Sequence, residues 1–169
     1  MGETSKCRAR VLKYCQGNGL DIGCGDDKIS PTAIGVDKCI HPNVNLNIDI
    51  RRIGDFIKPE SLDYVFSSHT LEDFDNTHDL LLQWFSLIKL GGYLVLYLPH
   101  KNWYPNIGHA LANKGHRHDF LPNDITEIIY SWYYCRIEYC TEYGPPNGIY
   151  DYENRGKIEY SFEIVARKI

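Results

Sequence analysis

The residues whose types and spacing suit chemistry begin at Gly19-Leu20-Asp21-Ile22-Gly23-Cys24-Gly25, followed by Ala33-Ile34-Gly35-Val36-Asp37. An apolar strand runs into a G-x-G turn, a second apolar strand follows, and a carboxylate stands at its tip. Glycine lets backbone approach a ligand where a Cβ would clash. A carboxylate at the end of the next strand can accept hydrogen bonds from a ribose diol. A bare G-x-G is equally a tight turn; the order strand, G-x-G, strand, Asp is what describes a nucleoside-cofactor pocket.

Two features depart from the dinucleotide fingerprint. Asp26 and Asp27 follow the turn, where a pyrophosphate needs neutral backbone donors. Gly23 and Asp37 stand 14 positions apart, where a dinucleotide unit places its acid roughly 20 residues on. Acidic neighbours repel pyrophosphate and suit a cofactor carrying positive charge. The sulfonium and ammonium of S-adenosylmethionine fit that surrounding better than NAD, which disfavours a dehydrogenase.

Asp21-Ile22-Gly23-Cys24-Gly25 resembles motif I of the class I S-adenosylmethionine-dependent methyltransferases, and Ile34-Gly35-Val36-Asp37 resembles their motif II. Asn47-Ile48-Asp49-Ile50 is similar to their third element. The run from Leu62 to Asp73 is similar to the fourth strand and following turn of the small-molecule "type 11" branch. Leu87–Leu96 matches the helix-turn-strand that comes next. The resemblance covers roughly Gly19 to Ile169. It implies that Gly23 and Gly25 admit the cofactor backbone-close, and that Asp21 orients the turn and the methionine ammonium. By the same resemblance Asp37 holds the ribose hydroxyls, Asp49 accepts from the adenine amino group beside Ile50, and Ser67 and Ser68 meet the methionine end. Cys24 and Lys38 complete the implied cofactor-binding set. The chain departs from the branch at Asp73, where a His is usual, and between Asp26 and Thr32, which is too short for the customary first helix. The compressed crossover Lys28-Ile29-Ser30-Pro31 resembles a subgroup found near sugar and lipopolysaccharide enzymes.

Methyl transfer from a sulfonium is an in-line displacement, and orientation alone can lower the barrier by about 7–11 kcal/mol. A base is needed only when the acceptor must lose a proton. His69, just after the fourth strand, is the first choice for a base or an acceptor-orienting group, since its ordinary pKa lies near neutrality; lining the pocket without proton transfer is the alternative. His116 belongs to His116-Arg117-His118-Asp119-Phe120, which resembles an acceptor-side element of the branch, inside the long segment 99–121. The His116-x-His118 pair, with His100 or Asp119, also invites a metal reading, but the spacing is generic and no metal is assigned. Trp103, Tyr104 and Tyr97 suit stacking on a sugar or planar acceptor, or closing the core.

Elements must hold these groups. Strands are expected at about Gly19–Ile22, Ala33–Val36, Val44–Ile48, Leu62–Phe66 and Tyr93–Leu98, with apolar runs that suit a sheet buried on both faces. A first helix carries Cys7, Val11, Leu12 and Cys15 on one face, capped by Thr4 or Ser5, and covers one edge of the cofactor site. A second spans Asn76 to Leu90, capped by Asn76 and closed by Lys89 and Gly91. A third runs from Pro122 to Trp132. Cys135, Ile137, Tyr139 and Thr141 share one strand face, and Tyr160, Phe162, Ile164 and Ala166 another; with Gly144–Lys157 between them they form an antiparallel hairpin. The fold class is therefore α/β, a Rossmann-like seven-stranded mostly parallel sheet with an antiparallel last strand and helices on both faces. Its ligand cleft lies beyond the carboxyl ends of the strands.

At 169 residues, 43% hydrophobic and 24% charged, the chain reads as one domain, residues 1–169, with a substantial core. A net charge of −4 argues against broad binding to nucleic-acid backbones. No apolar run is long enough to span a bilayer, and the polar start is unlike a signal peptide, so a cytoplasmic location is expected. Six cysteines form no C-x-x-C pair and read as reduced thiols. The function these features describe is transfer of a methyl group to a small polar acceptor, such as a saccharide or lipid-linked metabolite. Amino-methylating enzymes of nucleic acid or protein usually carry Asn/Asp-Pro-Pro-Tyr/Phe where this chain has Ser67-Ser68-His69-Thr70. The alternative is a cofactor-binding, inactive subunit acting through a partner. Oligomeric state is left open.

Overall fold

The computed structural model describes residues 2–151, 153–154 and 157–169. Strands β1 (Gly19–Ile22), β2 (Ile34–Asp37), β3 (Leu46–Asn47), β4 (Leu62–Ser68), β5 (Ile88–Pro99), β6 (Cys135–Tyr143) and β7 (Ser161–Lys168) form one sheet. Their spatial order is β3-β2-β1-β4-β5-β7-β6. The pairs β2–β3, β1–β2, β1–β4 and β4–β5 are parallel. Strand β7 is antiparallel to both β5 and β6, so β7 alone runs against the rest. The expected sheet and its reversed last strand are both present. The reversal of order between β1 and β4 is the switch point at which such sheets bind ligands.

Alternation along the strands builds two cores. Leu20, Ile22, Val65, Leu94, Leu96, Ile164 and Ala166 face α2 (Thr77–Ser86) and α3 (Pro122–Tyr130), which contribute Leu80, Leu81, Trp84, Phe85, Ile125 and Ile129. Tyr64, Phe66, Val95, Tyr97 and Val165 face the other way, onto Cys7 and Val11 of α1 (Glu3–Val11), Cys15, Ile29 and Ala33. Each fully buried Leu, Ile, Val or Phe contributes about 1.5–3 kcal/mol, so these two layers hold the strand ends in register. Helices lie on both faces. No helix crosses from β1 to β2; residues 23–33 are turns, as the short crossover implies.

Several boundaries differ from the sequence reading. Helix α2 stops at Ser86 with Leu87 as its cap, because Ile88 already pairs with Leu62. Lys89 and Gly91 therefore do not close a helix; they sit in an irregularity of β5. There Lys89 binds Asp63 at 3.0 Å, and a Cβ on Gly92 would lie 2.6 Å from the Asp63 carbonyl. Asn76 occupies the N-cap position without a side-chain bond. Strand β3 shrinks to two residues: at Asn45 the backbone N–H still donates to the Gly35 carbonyl, but the Asn45 side chain, not its backbone carbonyl, accepts from the Gly35 N–H at 2.8 Å. Helix α3 ends two residues before Trp132, which still packs on Phe85 with ring centroids 4.8 Å apart.

Helix α1 begins at Glu3 with Gly2, not Thr4 or Ser5, as its N-cap residue. Its capping acceptor comes from afar: the Asp27 carboxylate accepts from the Ser5 N–H at 2.9 Å and pairs with Arg8. In β6 a bulge between Ile137 and Tyr139 turns the strand over. Cys135 and Ile137 pack on the core with α2 and α3, and Tyr139 on the core with α1, so these residues do not share one face. Among the described residues no helix is long and apolar enough to cross a membrane, and all six cysteines are free.

Candidate functional site

The carboxyl ends of β1 to β5 open into two joined compartments. Gly23, Asp37, Lys38, Asp49, Ile50 and His69 line a cleft of about 230 Å³, closed by Arg51, Thr70, Asp73 and Phe74. Gly23, Cys24, Gly25, Ser68 and His69 line an adjoining open shelf of about 680 Å³, with the start of α1 as its far wall. Gly23 and His69 belong to both. Eight of the ten cofactor residues named from sequence thus border one continuous space.

The turn after β1 needs its glycines. Gly23 has φ +73° and a Cβ there would fall 2.0 Å from Thr70 Oγ1. Gly25 has φ +47°, and a Cβ would meet nothing within 4 Å; it faces open space where a ligand can approach backbone. The Asp37 carboxylate accepts from Gly25 N–H at 3.1 Å and from Cys39 N–H at 2.8 Å. Each carboxylate oxygen has a second lone pair, so both remain competent to accept from a diol.

Asp49 differs from its simplest expectation. It accepts from the backbone N–H of Arg51 at 3.0 Å and is forked by the Arg51 guanidinium, which holds its carboxyl down at about 2. An adenine amino group would share Asp49 with Arg51. Asp21 and Ser67 lie beneath the cleft rather than in its lining. Asp21 is buried and accepts from the Ile29 N–H; burial pushes it up to about 7, and its Oδ1 has no partner. Ser67 Oγ donates to the Ile22 carbonyl at 3.0 Å, tying β4 to β1. Asp21 therefore shapes the turn from below, and any contact with an ammonium runs through backbone or solvent. Burial raises the Cys24 thiol to about 12, so it is no nucleophile.

His69 adopts φ +45°, held by its N–H bond to the Tyr97 carbonyl at 2.9 Å. Its Nε2 meets Ser161 Oγ at 2.8 Å and lies 3.7 Å from Glu3, while Nδ1 faces Glu72 at 4.0 Å. Burial pulls its pKa down to about 3. The ring is neutral at pH 7 and both nitrogens face protein groups. His116 is buried behind it, with Nε2 3.6 Å from Glu72 and its ring stacked on Tyr104 at 5.6 Å. Desolvation lowers its pKa too. His118 turns away, toward the Asp75 carbonyl and Phe120. His100 Nδ1 accepts from Asn102 N–H, so its Nε2–H donates to Glu142 at 2.7 Å. Among the described residues no three His, Cys, Asp or Glu side chains are grouped to hold a metal ion.

Around His69 an aromatic wall runs from Tyr97 to Tyr104, Tyr150 and Tyr160, with successive ring contacts of 4.6–5.9 Å. Sequence reasoning gave Tyr97 and Tyr104 either a stacking role or closure of the core; Tyr97, fully buried, closes the core. The same reasoning missed Glu72, Glu3, Ser161 and Arg51. Glu72 carried a local signal, an acid directly after Leu71 in a strand-end turn. Glu3 and Ser161 reach His69 only through tertiary packing, which leaves no local trace.

This sheet order, the G-x-G turn and the strand-end acids define the class I S-adenosylmethionine-dependent methyltransferase fold. Solved structures bear that out. A SAM-dependent methyltransferase from Archaeoglobus fulgidus superposes with TM-score 0.69 at 19% identity, covering 99% of this chain and 95% of the other. The 1,6-didemethyltoxoflavin-N1-methyltransferase of Burkholderia thailandensis, solved with bound 1,6-didemethyltoxoflavin and S-adenosylhomocysteine, superposes with TM-score 0.69 at 13% identity, covering 99% and 78%. A Haloferax volcanii methyltransferase solved in complex with an activator protein gives TM-score 0.62 at 11% identity, covering 98% and 93%. No family model and no curated protein matches the sequence.

Proposed function

We propose that the chain binds S-adenosylmethionine and transfers its methyl group to a small polar acceptor, a saccharide or lipid-linked metabolite being the class favoured by the aromatic wall. The observation that carries this reading is the continuous space bordered by Gly23, Gly25, Asp37, Asp49 and His69, with an open approach at Gly25 that a Cβ would fill. The donor set fits the cofactor: carboxylates for ribose and adenine, an apolar Ile50 and Phe74 for the ring, and acids rather than cations on the methionine shelf. Bound there, the cofactor supplies an activated methyl group.

The protein's own part is alignment and exclusion of water. Asp37 fixes the ribose, Asp49 the adenine edge, and the shelf from Gly23 to Ser68 the methionine chain. His69 stands where the two compartments meet, and would face the methyl group of a cofactor bound across them. Tyr104 and Tyr150, both half-buried, offer faces on which a sugar or planar acceptor can stack, while Tyr97 is buried in the core beneath them. One observation favours the second reading, a binding subunit acting through a partner: neither nitrogen of His69 points freely into the cleft.

Incubation with methyl-labelled S-adenosylmethionine and an acceptor panel beginning with sugars separates the two. Label in a small acceptor, lost in His69→Ala, supports the enzyme. Cofactor binding with no transfer to any acceptor until a second protein is added supports the subunit.

A further inference from the structure

Glu72 is the one fully buried carboxyl in the turn after β4, and neither oxygen has a hydrogen-bond partner in another residue. Two histidines flank it, His116 Nε2 at 3.6 Å and His69 Nδ1 at 4.0 Å. An unpaired carboxylate in such a place costs several kcal/mol, and a protonated one still leaves a polar group unmatched. The backbone around it is rigid: the Glu72 carbonyl accepts from Arg117 and His118 N–H at 2.7 and 3.1 Å, which clamps the 99–121 segment onto the strand end. Glu72 is therefore held in place by the chain path, 4.0 Å from His69, one of the two residues shared by both compartments.

Resting on the proposed cofactor, we propose that Glu72 is the proton sink of the transfer: it ionises when the sulfonium enters the cleft and takes up the acceptor's proton as the methyl group moves. The charges balance. The acceptor atom bonds to the methyl carbon, the carbon–sulfur bond breaks with its electron pair going to sulfur, and the acceptor's proton is taken by His69 Nε2 in exchange for its Ser161 bond while Nδ1 passes its own proton to the Glu72 carboxylate. One positive and one negative charge become neutral together, so no net charge is created in a buried site.

The surroundings fit this traffic. Burial raises Glu72 to about 8, and Asp73 and Glu3 push it the same way, so without cofactor it is protonated at neutral pH. His69 and His116 are held neutral by burial, His69 also by Lys6. Asp73 and Asp119 oppose this at His116; Asp73 is itself raised by burial, against the pull of His116, Lys38 and Arg117. A cation arriving beside His69 is the one new charge that favours the carboxylate.

Calorimetry of the full chain tests it. S-adenosylmethionine and S-adenosylhomocysteine are titrated at about pH 6.5, where the ammonium of either ligand is protonated, in two buffers of different ionisation enthalpy. The ligands differ in the sulfonium alone, so the expected result is a release of roughly half to one proton more with S-adenosylmethionine. In Glu72→Gln that difference disappears, and the affinity ratio of S-adenosylmethionine to S-adenosylhomocysteine falls by at least fivefold. Equal proton release by the two ligands in the unaltered protein overturns the proposal, without reliance on any variant; so does a difference that persists in Glu72→Gln. Binding of neither ligand overturns the cofactor reading itself, a distinct outcome.

Discussion

Asp37 stands at the tip of β2 with both oxygens already accepting backbone N–H bonds, one of them from the glycine turn that the cofactor must touch. A single side chain thus positions the turn and, in the proposed complex, would receive the ribose. Asp37→Ala is expected to weaken S-adenosylhomocysteine at least tenfold, the loss of charge-assisted bonds of about 1.5–3 kcal/mol; a change below threefold, measured by calorimetry, would remove the ribose role. His69 has another task. Its neutral ring is pinned between Ser161, Glu3 and Glu72, so His69→Ala is expected to slow methyl transfer while cofactor affinity stays within threefold. The reverse pattern would make it a binding residue.

At the level of elements, the turn between β1 and β2 does the work of the missing helix. Gly23 combines a positive φ with a Thr70 hydroxyl where its Cβ would sit. Gly23→Ala should cost about 1–3 kcal/mol from backbone strain alone, plus the clash, read as a drop in denaturation midpoint; a midpoint within error of the unaltered protein would show that the turn relaxes freely. Asp27 is the far-side cap of α1, so Asp27→Ala should cost about 1 kcal/mol and loosen the wall of the methionine shelf. The motifs from Asp21 to Asp49 were legible in sequence because each lies at the end of an apolar strand, a local pattern. Asp27 read there as a charge against pyrophosphate; its cap and its Arg8 pair depend on α1 folding back, which no local pattern records. Helix α2 was drawn too long for a similar reason: Leu87 and Ile88 continue the apolar pattern, yet pairing with Leu62 claims them for the sheet.

Over the whole molecule, the seven-stranded sheet and its reversed last strand followed from the succession of apolar runs and the alternation of the terminal hairpin. What sequence could not show was how the 99–121 segment and α1 close around His69, since Glu3, Glu72, His116 and Ser161 come from four separate parts of the chain. The fold buries three acids: Asp21 and Glu72, with folded pKa values raised to about 7 and about 8, and Glu163, raised by burial against its Arg10 pairing; the first two carry the larger shifts. Unfolded, each titrates near about 4, so between there and pH 8 the folded state holds more protons. Stability from this source falls as pH rises through that window and is fully kept below it. Thermal unfolding should show Glu72→Gln gaining midpoint relative to the parent chain at pH values above about 8, with little difference near pH 4. A variant that loses stability at high pH, with the loss shrinking toward pH 4, would mean that Glu72 is ionised and paired in the fold.

The central claim is that this cleft holds S-adenosylmethionine, and titration with S-adenosylhomocysteine beside NAD tests it most directly. Micromolar binding of the first and none of the second is the result the structure predicts. Binding of NAD alone, or of neither, would contradict it, and the roles assigned to Asp37, Asp49 and Gly25 would fall with it.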